Sequence, residues 1–118
     1  MRFAGSFVRK ILLIDDDRSI CESLSLYLTE EGYEVTSVST GHEGLRRIET
    51  ERWDVIILDI FLSDVDGLEV LKRLKQRVPD ANVIMITAFH DMQTTVRAMQ
   101  LGAAEYIHKP IEIDDLEA

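Results

Sequence analysis

Carboxylates, a hydroxyl and an amine recur where this chain passes from apolar to polar residues. They are Asp15-Asp16-Asp17, Asp59, Thr87 and Lys109. The first three groups each follow a run of four apolar residues, at 11–14, 55–58 and 83–86, and Lys109 follows the half-polar segment 104–108. If these points meet in space, uncompensated carboxylates crowd together and raise one another's proton affinity. A hard cation relieves that crowding, and an all-oxygen ligand set favours Mg2+ over zinc or copper. Sulfur and imidazole chemistry find no support. Cys21 is the single cysteine, and no Cys/His spacing suits zinc. His42, His90 and His108 read as solvated, Met85, Met92 and Met99 as core filler, and Cys21 as an inert small residue.

The elements that position these residues follow from periodicity. Apolar runs with no polar residue on either face are strands covered on both sides, the mark of a parallel sheet between helices. Segment 33–38 alternates weakly, as an edge strand does, and 104–108 makes the other edge. Between the strands lie helical patterns. Ile20, Leu24 and Leu28 share a face ahead of Gly32, and Thr40 with Glu43 makes a capping box before Leu45 and Ile48. Leu68, Leu71, Leu74 and Val78 precede Pro79, and Met92, Val96 and Met99 precede Gly102. Asp114 opens a fifth helix that is incomplete at Ala118. Strict alternation implies parallel strands joined by right-handed crossovers. The expected architecture is therefore α/β, a single doubly wound five-stranded parallel sheet of order 2-1-3-4-5, flavodoxin-like, with five helices and the last truncated. Its topological switch point lies between strands 1 and 3, and ligands bind outside the carboxyl ends there. Asp15, Asp16, Asp59, Thr87 and Lys109 all fall at that end.

Composition narrows the partners. The 118 residues suit one domain, with 46% hydrophobic and 30% charged residues. Thirteen basic against 22 acidic residues give a net charge of −9, which argues against this domain gripping nucleic acid or an anionic membrane by itself. No apolar run approaches the ~20 residues of a membrane span, and the first residues lack the apolar stretch of a secretory signal. The expected location is the cytoplasm. Residues 1–9 read as an N-terminal extension and 10–118 as the domain, with its incomplete last helix expected of a fragment of a longer protein.

In order along the chain, ILLIDDD, DVIILDIFLSDVDGLEV, IMITAFHD and AEYIHKP resemble the motifs of a response-regulator receiver domain of two-component signalling. The resemblance runs from about Lys10 to Leu116, and the segment 87–117 is similar to receivers of nitrogen-regulatory, sigma-54-activator type. It implies that Asp59 is the phosphoacceptor for a sensor histidine kinase. It further implies that Asp16, Asp59 and the backbone carbonyl of Phe61 hold Mg2+, with Asp15 acting through a metal-bound water. Lys109 would pair with Asp59 and then with a phosphoryl oxygen, Thr87 would hydrogen-bond the phosphoryl group, and Tyr106 would change rotamer in response. A cis Lys109–Pro110 bond is also implied. The face 91–108 would then contact an output domain or another receiver, with a homodimer as one outcome. The chemistry is limited to self-phosphorylation and autodephosphorylation, so the domain is not a turnover enzyme. One departure stands out. Leu62-Ser63 replaces the family's common Met-Pro, which leaves the loop after Asp59 less constrained.

Simpler readings compete. Asp17 or Ser19 caps the first helix, and Asp54, Asp64 and Asp66 read as surface and turn carboxylates. A haloacid-dehalogenase-like phosphohydrolase would use Asp15-x-Asp17, but would leave Asp59 without a role and has no room for a cap domain. A flavodoxin-like binding module would bring a flavin phosphate to an acidic switch point that repels it.

Overall fold

The computed structural model describes residues 9–88 and 91–109. Five strands, β1 (Lys10–Ile14), β2 (Glu34–Val38), β3 (Val55–Asp59), β4 (Val83–Thr87) and β5 (Glu105–His108), alternate with α1 (Arg18–Glu30), α2 (Gly41–Thr50), α3 (Gly67–Arg77) and α4 (Met92–Gln100). All neighbouring strands pair in parallel, in the order β2-β1-β3-β4-β5. The expected doubly wound α/β sheet is therefore present, with four helices among the described residues. The fifth helix expected at Asp114, the Lys109–Pro110 bond, His90 and residues 1–8 lie outside the described residues.

Alternation along each central strand feeds two cores, one per face. Leu12, Ile14, Ile56, Leu58 and Met85 pack with Ile48 of α2 and Val70, Leu71 and Leu74 of α3. Ile11, Leu13, Ile57 and Ile86 pack with Leu24 and Leu28 of α1. Full burial of each such side chain is worth roughly 1.5–3 kcal/mol, which gives the central strands their stiffness. That stiffness is what holds their carboxyl ends, and the residues just beyond them, in fixed relation.

Each helix begins on a side-chain cap: Asp17, Thr40, Asp66 and Asp91 each accept from one or more amides of the first turn. Such a cap stabilises by ~1 kcal/mol. Past the ends of α1 and α4, Gly32 and Gly102 take positive φ of 101° and 106°, the left-handed exit that favours glycine.

Helix α4 departs from expectation. Met92, Val96 and Met99 were expected to bury it, yet they are 78%, 47% and 45% exposed. The helix rests instead on Ala98, which is fully buried. A small residue on the inner face lets the helix backbone approach the sheet, and the bulky stripe is left outside. Of the three methionines expected in the core, only Met85 is there.

Candidate functional site

The carboxyl ends of β1, β3, β4 and β5 bring the predicted residues together. Asp59 is the last residue of β3, Thr87 the last of β4, and Asp15-Asp16 and Lys109 directly follow β1 and β5. Asp15, Asp59 and Thr87 are the buried polar residues among those described, at 0%, 4% and 0% exposure. Asp15, Asp16 and Asp59 each offer a carboxylate oxygen, all within 4.8 Å of one another. Lys109 Nζ lies 3.0 Å from Asp15 Oδ2 and 3.2 Å from Asp59 Oδ2. Backbone contacts fix these side chains: the Asp15 amide donates to Val38 O at 3.1 Å and the Lys109 amide to Thr87 O at 2.7 Å. Asp15 Oδ1 accepts from the Asp17 amide at 2.9 Å, and Asp59 Oδ1 from the Phe61 amide at 3.3 Å.

One amine thus serves two buried carboxylates, with exposed Asp16 beside them. Burial, and then the charge of Asp15, push the Asp59 carboxyl up to about 6, against the opposing pull of Lys109 and the Phe61 amide. Burial works against the Lys109 ammonium, but its bond to Asp15 and the charge of Asp59 outweigh that and hold its pKa above the usual value. Excess negative charge on clustered oxygens, open toward Asp16, suits a hard divalent cation, and the cluster can hold one. Cys21 is a half-buried free thiol. Burial first, and Asp15 next, raise its thiol to about 11, and Sγ donates to Asp15 O at 3.2 Å.

The loop from β3 to α3 is tied down, despite Leu62-Ser63. Phe61 bridges to Asp66, and the Gly67 amide donates to Ile60 O at 2.8 Å. A Cβ at Gly67 would stand 2.3 Å from the Asp59 carbonyl oxygen, so only glycine permits this closure. Asp64, expected as a plain surface carboxylate, accepts from the Gly41 amide at 2.9 Å and the His42 amide at 3.0 Å. His42 is exposed, as expected, and places Nδ1 2.7 Å from Asp64 Oδ2. Desolvation raises the Asp64 pKa, but the Gly41 and His42 bonds prevail and hold it below the usual value. Sequence offered no signal for this contact, because its partners lie more than twenty residues away.

Thr87 and Tyr106 share a sheet face. In the β4–β5 register Met85 faces Tyr106 and Thr87 faces His108, so alternation puts Met85, Thr87 and Tyr106 on one side. That is also the side of Ala98 in α4. The Tyr106 hydroxyl is buried with no hydrogen-bond partner among the described residues, a situation that costs roughly 1–3 kcal/mol.

Comparison with known proteins decides the family. The family model described as the response regulator receiver domain matches residues 11–118. The chain belongs to the receiver domain family. The receiver is 38% identical over 110 residues to the alkaline phosphatase synthesis transcriptional regulatory protein PhoP of Bacillus subtilis (strain 168), covering 93% of this chain and 46% of that protein. To the transcriptional regulatory protein ZraR of Escherichia coli (strain K12) it is 33% identical over 108 residues, covering 92% of this chain and 24% of that protein. It therefore spans about half of one relative and a quarter of the other. The CheY-like receiver domain protein of Methanospirillum hungatei JF-1 superposes with a TM-score of 0.90 at 36% identity, covering 94% of this chain and 89% of that one. A Burkholderia pseudomallei response regulator, whose crystal structure holds a phosphorylated aspartic acid, a calcium ion and citrate, gives 0.87 at 28% identity, covering 93% of this receiver and 65% of that chain. The competing readings fall away. Asp17, which a dehalogenase-like enzyme would need at the centre, is engaged as the cap of α1 through Ser19 and Ile20. No helix of the described residues is long and apolar enough to cross a membrane.

Proposed function

We propose that this receiver accepts a phosphoryl group on Asp59 from the phosphohistidine of a sensor histidine kinase. A carboxylate oxygen of Asp59 bonds to phosphorus as the bond from phosphorus to the imidazole nitrogen breaks. The observation that carries this reading is the placement of Asp59: a carboxylate 4% exposed, ending a central strand, 3.2 Å from the Lys109 amine and grouped with Asp15 and Asp16. Asp16, Asp59 and the Phe61 carbonyl would hold Mg2+, with Asp15 reaching it through a water. When bound, the ion neutralises charge on the phosphoryl oxygens. Lys109 passes from Asp59 to a phosphoryl oxygen, and the Thr87 hydroxyl donates to another.

Phosphorylation adds nearly two negative charges and new acceptor oxygens. Thr87, drawn toward them, vacates space on the face it shares with Tyr106. The Tyr106 hydroxyl, already buried and with no hydrogen-bond partner among the described residues, shifts into that space. Helix α4, resting on Ala98, is the element easiest to shift. The face 91–108, with Met92, Val96 and Met99 exposed, is then the switched contact surface for an output domain or another receiver, in the latter case making a homodimer.

The names of the relatives support a cytoplasmic transcriptional regulator as the whole protein, with residues 10–118 as its receiver after a short extension. The charge of −9 keeps nucleic acid and membrane contacts away from this domain, and its chemistry is confined to its own phosphorylation and dephosphorylation. The test is incubation with acetyl phosphate and Mg2+, followed by intact-mass measurement. One phosphoryl group adds to the wild type and none to Asp59→Asn, and equal labelling of the variant would overturn the assignment.

A further inference from the structure

We propose that Asp64 is a positioning residue, fastening the acceptor loop to the start of α2 so that Asp59 and the Phe61 carbonyl stand fixed against Asp15 and Asp16. The inference rests on the acceptor reading above. The loop is closed at its base by the Gly67–Ile60 hydrogen bond and the Phe61–Asp66 bridge. Further along, Leu62-Ser63 lacks the fixed φ that a proline imposes. Phe61 is 55% exposed, so its carbonyl is placed by the loop more than by packing of its own side chain.

Asp64 supplies the missing restraint. Its two oxygens accept from the Gly41 and His42 amides at 2.9 and 3.0 Å, groups that a helix start leaves without intrahelical partners. The positive end of the helix dipole favours the carboxylate there. Thr40 caps the same helix locally, accepting from the Glu43 amide at 3.1 Å. Helix α2 thus has two caps, and only Asp64 reaches the acceptor loop. Packing beside it is equally close. A Cβ at Gly41 would stand 2.2 Å from Val65 Cγ1 and 3.3 Å from Leu62 Cδ1, so these loop side chains lie directly against the helix start. Loss of the Asp64 bonds frees the loop, and with it the oxygens on which metal binding and phosphoryl transfer depend.

The experiment compares wild type, Asp64→Ala and Thr40→Ala at a temperature where circular dichroism shows all three folded. Mg2+ affinity is measured by calorimetry, and phosphorylation by acetyl phosphate at saturating Mg2+ by intact mass. Asp64→Ala is expected to weaken Mg2+ binding and slow phosphorylation by ~10-fold, the effect of losing a partner that orients a metal ligand. Thr40→Ala weakens the same helix end and should stay within ~2-fold, because a local cap acts on stability. Equal losses in both variants would show a purely structural role and overturn the proposal. Wild-type affinity and rate in Asp64→Ala would overturn it as well. A wild type that binds Mg2+ without becoming phosphorylated would instead remove the acceptor reading, and the Mg2+ affinities alone would then decide on Asp64. Should Asp64→Ala not fold, Asp64→Asn keeps the oxygen toward Gly41, loses the one toward His42, and must show a smaller loss in the same direction.

Discussion

Removing the acceptor's charge should make the metal-free protein more stable, although Asp59 is central to function. Asp59 and Asp15 are 4% and 0% exposed and share the Lys109 amine, 3.2 and 3.0 Å away. The folded state holds the Asp59 proton up to about 6, from an ordinary value of 3.8. A raised carboxyl pKa means that the folded state binds the proton more tightly than the unfolded chain. Its charge therefore costs stability progressively as pH rises from about 4 through 6, and the whole cost is present above that. Two units correspond to about 3 kcal/mol. Water entering beside Asp16 screens part of the repulsion, so about 1–2 kcal/mol is expected to remain. Asp59→Asn should gain that much at pH 7.5 in urea unfolding with chelator present, while Lys109 keeps Asp15 as its partner. The gain should fall to about half by pH 5, as the wild-type carboxyl takes up its proton. A variant no more stable than wild type at pH 7.5, or a gain that does not change with pH, would refute the electrostatic account of the site.

Mg2+ should raise the melting temperature of the wild type through mass action, a tenfold excess over Kd being worth about 1.4 kcal/mol. Asp16→Ala should lose most of that increment without lowering the metal-free melting temperature, and an unchanged wild type in millimolar Mg2+ would count against a metal site here. Lys109→Ala leaves two buried carboxylates unpaired and should destabilise by about 3 kcal/mol at neutral pH; a neutral effect in urea unfolding would show that the 3.0 and 3.2 Å contacts carry no energy. Beryllofluoride with Mg2+ should shift amide resonances through 91–108 as well as around Asp59. Changes confined to the Asp59 loop would sink the proposed route from Thr87 through Tyr106 to α4.

The strands were legible because four consecutive apolar residues leave no polar face, and their burial on both sides follows. Strict alternation then placed Asp15, Asp16, Asp59, Thr87 and Lys109 at one end of the sheet. Helix caps were legible for the same local reason: Asp17 and Thr40 bond amides two or three residues ahead. What escaped depends on tertiary contact. Helical spacing grouped Met92, Val96 and Met99 on one face but did not say that the opposite face, with Ala98, would meet the sheet. Asp64 caps a helix 23 residues before it in sequence, where no local pattern points. His42 is solvated as read, and only its contact with that same carboxylate escaped.

The central claim is that Asp59 itself becomes the acyl phosphate. The direct measurement is borohydride reduction of the protein after acetyl phosphate and Mg2+, followed by peptide mass mapping. An acyl phosphate is reduced to the alcohol, so the account predicts homoserine at position 59 alone, dependent on Mg2+ and absent without phosphodonor. Homoserine at Asp15, Asp16 or another carboxylate, or an unmodified Asp59 in protein shown to bind Mg2+, would contradict it.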